Sequence, residues 1–213
     1  MNMTSIPSAD MPKIAVVGAG AAGLLAAGTA ASLGVEVTVF EATNRVGKKL
    51  LITGKGRCNV TNDCTLEEFI PNVTKNERFL YSALAALSPA DLMSLIEREG
   101  TPLKTERGRR VFPTTDKSAD ILKALLSYAS EANIVHERVL DVAVKDGNAV
   151  GVVTKSGTQH FDAVIMATGG VSYPLTGSDG SGLRIARELG HTVTPLVPSL
   201  VPIVSTSPYC SEM

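Results

Sequence analysis

The chain has 213 residues, 44% of them hydrophobic, and a formal net charge of -1. That length supports a full hydrophobic core in one domain, or one domain plus a small insertion, and the near-neutral balance excludes a global electrostatic case for nucleic acid or an anionic membrane surface. The three cysteines, Cys58, Cys64 and Cys210, form neither a metal-ligand spacing nor a C-x-x-C pair, so no metal is expected and a reducing, cytoplasmic setting fits.

Met1 to Pro12 mixes small polar residues and proline without periodicity and reads as a flexible tail. Lys13 to Gly18 is a short apolar strand, Ala21 to Leu33 an Ala- and Leu-rich helix stopped by Gly34, and Val35 to Phe40 a β-branched strand. The nearly uncharged stretch from Ile14 to Val35 has the hydropathy of a membrane span. A buried strand followed by a buried helix has the same hydropathy, only Lys13 precedes the stretch, and its glycines are grouped at the front, so no membrane is expected.

A Gly- and Lys-rich loop is predicted for Thr43 to Asn62, then helices near Asn76 to Leu87 and Pro89 to Glu99. The second has Ser88 as N-cap, Pro89 in its first turn and Gly100 after its end. An extended pair spans Leu103 to Phe112. A helix follows from Lys117 to Ala132, with Ile121, Leu122, Leu125 and Leu126 on one face. Val135 to Val144 and Ala149 to Thr154 read as strands joined through the turn pair Asp146-Gly147. Phe161 to Ala167 is an apolar strand ending at Thr168-Gly169-Gly170, and Ser178 to Leu189 is a helix closed by Gly190. This order predicts an α/β, Rossmann-like domain: a mainly parallel sheet with helices on one side and a small antiparallel meander on the other.

Gly18-Ala19-Gly20-Ala21-Ala22-Gly23 is a G-x-G-x-x-G run leaving a strand and opening a helix. In that motif Gly18 makes the tight turn, Gly20 clears space for a pyrophosphate and Gly23 lets helix and strand lie close. The helix N-terminus offers free N–H groups to phosphate. Glu41 ends the second strand where an acid hydrogen-bonds the adenosine ribose, about 20 residues after the glycines. Strand, helix, strand and acid agree on a dinucleotide, but the fingerprint alone leaves FAD and NAD both open.

The following segment, Gly47-Lys-Lys-Leu-Leu-Ile-Thr-Gly-Lys-Gly-Arg-Cys-Asn-Val-Thr-Asn62, resembles the signature of the BaiN-like, or aminoacetone-oxidase-like, FAD/NAD(P)-dependent oxidoreductases. Arg110-Val111-Phe112-Pro113, Ala167 to Pro174, Gly190-His191 and Leu200-Val201-Pro202 resemble segments of the same family in the same order. The resemblance covers Lys13 to Val204, the N-terminal portion of a longer architecture and of its two-dinucleotide-binding flavoprotein fold; Ser205 to Met213 does not resemble the family continuation.

The resemblance implies FAD in the first fingerprint, with Gly18, Gly20, Ala22, Gly23 and Glu41 around its ADP half and Lys48 and Lys49 near its ribose. It places Val139 at the adenine and Gly56, Arg57, Cys58 and Asn59 beside the flavin. Thr168 and Gly169, at a strand end, suit a return crossing that admits backbone to the cofactor. Arg45, Lys48, Lys49, Lys55 and Arg57 form a run without an acid, which could offset the pyrophosphate or favour reduced flavin, Arg57 being its strongest member. The ordinary alternative is a solvated face. Cys58 has no partner at redox spacing and reads as a small packed thiol. His136, His160 and His191 are scattered, and no catalytic residue is assigned.

The activity implied is FAD-dependent reduction of a C=C bond conjugated to a carbonyl, fed by NAD(P)H, on a small-molecule substrate or ribosomal RNA. The alternatives are an amine or aminoketone oxidase, or a truncated fragment that binds FAD weakly and has no catalysis of its own. No oligomeric state is implied.

Overall fold

The computed structural model describes residues 11–198. The expectations for residues 1–10, for the Leu200-Val201-Pro202 match, for Cys210 and for the tail 205–213 lie outside the described residues.

The chain opens with β1 (Lys13–Val17), α1 (Ala21–Ser32) and β2 (Glu36–Phe40), each beside the next in space. In β1, Ala15 and Val17 face one way and Val16 the other, and in β2 Val37 and Val39 oppose Phe40, the two-residue alternation of a sheet covered on both faces. The stretch Ile14 to Val35 is therefore strand, turn and a 12-residue helix.

The predicted loop from Thr43 to Asn62 contains a one-turn helix, α2 (Lys48–Ile52), followed by a short 3-10 segment, Thr53–Gly56. Leu50 buries its side chain in the same cluster as Leu122, and the Leu51 carbonyl accepts from the Ser118 hydroxyl at 2.8 Å. Ser118 lies 67 residues from Leu51, and Leu122 is more distant still from Leu50, which is why local pattern did not show the helix. A second short helix, α3 (Leu66–Phe69), begins at a capping box of Thr65 and Glu68.

Next come α4 (Glu77–Ala86) and α5 (Pro89–Arg98). Glu77–Arg98 passes for a membrane span by length and mean hydropathy. It is two ten-residue helices, broken where Ser88 and Asp91 cap the second. The hairpin β3 (Leu103–Glu106) and β4 (Arg110–Pro113) leads into α6 (Ser118–Tyr128), whose buried face includes Ile121, Leu122 and Leu125 as its periodicity predicts.

The single strand expected from Val135 to Val144 is two strands in two sheets: β5 (Asn133–Val135) pairs with β2, and β6 (Asp141–Lys145) belongs to the meander. A β-branched run satisfies either sheet, and the pairing partners decide where one ends. β6 turns through Asp146 (φ 52°) and Gly147 (φ 78°) into β7 (Asn148–Thr154), the paired positive φ values of a type I′ hairpin. β8 (Gly157–His160), not predicted, completes the meander. β9 (Ala163–Met166) then returns to pair with β1, and α7 (Ser181–Glu188) is the last regular element among the described residues.

The main sheet is parallel, in the order β5-β2-β1-β9. One face packs on α1, α5 and α6 through Val16, Leu24, Val39, Ile96, Ile121 and Leu125. The other packs on the meander through Val17, Phe40, Val139 and Val152, with Phe161 edge-on to Phe40 at 5.8 Å. Helices on one side and an antiparallel layer on the other leave the carboxyl edge of the parallel strands as the place for a ligand.

Candidate functional site

β1 stops at Val17 because Gly18 turns the chain at φ 107°, and its N–H donates to the Phe40 carbonyl at 2.8 Å. A Cβ on Gly18 would lie 2.5 Å from the Ala167 carbonyl oxygen, and one on Gly23 would lie 1.8 Å from the Gly18 carbonyl oxygen. Both glycines therefore close backbone on backbone. Gly20 differs: a Cβ there would meet nothing within 4 Å. It caps α1 with no side-chain acceptor, and the first intrahelical bond is from the Leu24 N–H to the Gly20 carbonyl. The N–H groups of the first turn are thus unused by the helix and face an uncrowded backbone, a donor set that fits a diphosphate.

These residues form one end of a cavity of about 720 Å³ at the carboxyl edge of the sheet. The cavity brings together Gly18, Gly20, Ala22, Glu41, Lys48, Lys49, Cys58, Asn59, Val139, Thr168 and Gly169 from separate parts of the sequence. Gly23 lies behind it, as a packing glycine should. Gly56 and Arg57 are not on its wall.

Glu41 is buried, 8% exposed, with Oε2 accepting from the Ala19 N–H at 3.0 Å and Oε1 from the Thr43 N–H at 2.8 Å. These two bonds satisfy the buried carboxylate and leave each oxygen a further lone pair for a hydroxyl donor. Lys48 and Lys49 enter the wall because Gly47, at φ 65°, turns the chain into α2. Neither lysine is in an ion pair among the described residues.

Arg57, expected beside the flavin, stands off the cavity wall and is paired with carboxylates. Its guanidinium donates to Asp116 at 2.6 and 2.8 Å and to Glu106 at 2.5 Å, and lies 4.2 Å from the centre of the Phe112 ring. The run around it lacks acids in sequence, but β3 and the turn after β4 supply them in space. Cys58 is buried and lines the cavity, and burial pushes its thiol above the ordinary range, away from the nucleophilic thiolate. Asn59, with its amide turned to satisfy both ends, donates to the carbonyls of Thr61 at 3.0 Å and Val111 at 3.2 Å. His136 Nδ1 stands 2.8 Å from the Thr43 carbonyl oxygen.

Another part of the cavity wall carries no motif recognised in the sequence. Thr176, Gly177, Ser178, Ser181 and Ile185, from α7 and the turn before it, line the cavity together with Arg138 and Val139. Arg138 pairs with Asp179 at 2.7 Å, and Arg184 donates to the Leu140 carbonyl at 2.7 Å. Glycines close this wall: a Cβ on Gly182 would lie 1.9 Å from the Thr168 hydroxyl, and one on Gly169 2.7 Å from the Ser178 hydroxyl. The glycine spacing from Gly177 to Gly182 is the signal that could have marked it.

Comparison with known proteins gives the family and the fold. The 3-dehydro-bile acid delta(4,6)-reductase of Clostridium scindens is 33% identical over 195 residues, covering 90% of this chain and 47% of the reductase. The ribosomal RNA dihydrouridine synthase of Escherichia coli is 29% identical over 201 residues, 93% of this chain and 49% of that protein. This chain thus spans about half the length of the curated relatives it matches. Among solved structures, the open conformation of a flavocytochrome c3 fumarate reductase superposes with a TM-score of 0.66 at 25% identity, over 86% of this chain and 41% of that one. The pattern described as the HI0933-like protein Rossmann domain matches residues 12–205, and the chain belongs to that family of FAD-dependent oxidoreductases.

Proposed function

We propose that this chain is the FAD-binding part of a reductase that saturates a C=C bond conjugated to a carbonyl, with NAD(P)H as electron donor. The observation that carries the cofactor assignment is the cradle: unused N–H groups of α1 beside a Gly20 with open space, at one end of a cavity that Glu41 also borders. Bound FAD would supply hydride chemistry, and the protein its placement. Gly20 would admit the diphosphate beside the Gly18 turn, Glu41 would accept from ribose hydroxyls, and Lys48 and Lys49 would lie toward the negative ADP half. Val139 would border the adenine, and Cys58, Asn59, Thr168 and Gly169 would complete the wall.

The reaction class draws its support from the relatives. One is a bile-acid reductase, another makes dihydrouridine in ribosomal RNA, and the solved structure is a fumarate reductase. Their names share the saturation of a double bond conjugated to a carbonyl. In such a step the hydride goes to the β-carbon and charge develops on the carbonyl oxygen, which needs donors close by. The substrate class proposed is an enone-like small molecule or a uridine in RNA, handled in the cytoplasm.

The test is anaerobic. The FAD-loaded chain is mixed with NADH or NADPH, then with an α,β-unsaturated ketone or a uridine-containing RNA. Bleaching of the flavin band by the nicotinamide and its recovery on adding one acceptor is the expected result. No recovery with either acceptor, together with oxygen consumption on adding an amine in a separate aerobic assay, would overturn it.

A further inference from the structure

Arg57 sits in the middle of an unusual stretch of backbone. Gly54 (φ 56°), Lys55 (φ 56°), Gly56 (φ 85°) and Cys58 (φ 60°) are all left-handed, and two of them are not glycine. Such conformations persist only where their surroundings over-determine them. The stretch closes on itself through the Arg57 N–H to the Gly54 carbonyl at 3.2 Å and the Cys58 N–H to the Thr53 carbonyl at 3.1 Å. Neither bond ties it to the rest of the fold.

Downstream, Cys58 is buried in the core cluster and the Val60 N–H donates to the Val111 carbonyl at 2.8 Å; within the left-handed stretch itself, the side chain of Arg57 adds the polar tie. Asp116 takes its Nε and Nη2, Glu106 takes Nη2, and the Phe112 ring supports its flat face. A planar guanidinium can satisfy two carboxylates and stack at once, which an ammonium cannot. Lys104 also binds Asp116 at 2.7 Å and lies 3.5 Å from Glu106, so two cations meet two anions and the cluster carries no surplus charge toward the cavity. Phe112 is only 3% exposed, which makes the hairpin a fixed anchor.

We propose that Arg57 is a positioning residue: anchored to the β3–β4 hairpin and the turn after it, it holds the left-handed stretch in place and so sets where Cys58 and Asn59 stand on the cavity wall. It acts through the backbone and not as a cation against the cofactor. Arg57→Lys is therefore a damaging change although it keeps the charge. Asp116 does not border the cavity, yet its removal reaches the cavity through Arg57.

The test uses amide hydrogen exchange on the FAD-free full chain, with FAD titration alongside. In Arg57→Ala the Cys58 amide is expected to exchange on the order of ten-fold faster, while the Leu24 amide in α1 is unchanged. Arg57→Lys and Asp116→Asn give smaller increases in the same place. The FAD dissociation constant rises in the same rank order, and Arg57→Ala/Asp116→Asn is no worse than Arg57→Ala, because both act on one link. If Arg57→Ala does not fold, Arg57→Lys and Asp116→Asn carry the test. Loss of FAD binding in Arg57→Ala with unchanged exchange at Cys58 would overturn the proposal, as would an Asp116→Asn chain equal to the parent in both measurements. The affinity arm rests on the cofactor reading, and the exchange arm does not. A chain that never binds FAD but shows the stated exchange pattern supports the positioning role and sinks the cofactor reading alone.

Discussion

Two glycines of one motif are expected to fail in opposite ways when each becomes alanine. At Gly23 the new Cβ would start 1.8 Å from the Gly18 carbonyl oxygen, at least 1.2 Å inside the 3.0 Å that real Cβ atoms keep. The neighbour is backbone, held by the Gly18 N–H to the Phe40 carbonyl at 2.8 Å, so no flexible side chain can yield. Alanine favours a helix interior by about 1 kcal/mol over glycine. Forced overpacking costs about 1–3 kcal/mol and sometimes more, and with rigid partners the upper end applies. The net is a loss of about 2 kcal/mol, which lowers Tm by roughly 4–8 °C for a domain of this size.

Gly20→Ala meets nothing within 4 Å, and its φ of -84° suits any residue. As an N-cap change it costs less than about 1 kcal/mol, so the FAD-free melt moves by no more than about 3 °C. FAD affinity should nevertheless fall ten-fold or more, about 1.4 kcal/mol, because the methyl group occupies the space reserved for phosphate. Calorimetry of the FAD-free chain and a flavin fluorescence titration separate the two effects. A Gly23→Ala chain as stable as the parent, or a Gly20→Ala chain that binds FAD equally well, would refute the division of labour.

Other changes test the framework around the cavity. Leu24 is fully buried between α1 and the sheet, so Leu24→Ala should cost about 2–5 kcal/mol, read as a lower urea midpoint with unchanged slope. Ser88→Ala removes the cap of α5 and should cost about 1 kcal/mol in the same assay; a midpoint equal to the parent would show that the cap contributes nothing. Burial would raise the Asp179 carboxyl, but the Ser181 hydroxyl and N–H and the Arg138 guanidinium outweigh it and hold the group at about 2. A depressed carboxyl stabilises the fold above its unfolded value near 4 and loses that contribution as pH falls toward 2. Since Asp179 is 35% exposed, screening reduces the effect to about 1 kcal/mol. Asp179→Asn should flatten the acid limb of the stability curve between pH 4 and 2, and an unchanged limb would count against the Arg138–Asp179 link.

Much of the cradle was legible because it is local. β1, the glycine turn, α1 and β2 are consecutive, their periods are unmixed, and Gly18, Gly20 and Gly23 act within one turn of chain. The Asp146-Gly147 hairpin was legible for the same reason, since two positive φ angles at adjacent residues are a property of the turn itself. The run from Val135 to Val144 was not, because β-branched residues suit the parallel sheet and the meander alike and only pairing divides them.

What the sequence determined by itself, then, is the set of backbone conformations and alternating faces that lead to a dinucleotide-type fold: these depend on neighbours a few residues apart. Tertiary structure alone decided the rest. It found the acids for Arg57, 49 and 59 residues downstream, and made α2 a helix by burying Leu50 in the cluster that holds Leu122. It also brought Arg138 and Asp179 together, 41 residues apart in the chain. Charge pairing and burial depend on distance in space, and a cation that looks unopposed along the chain acquires its partners only when distant strands fold beside it.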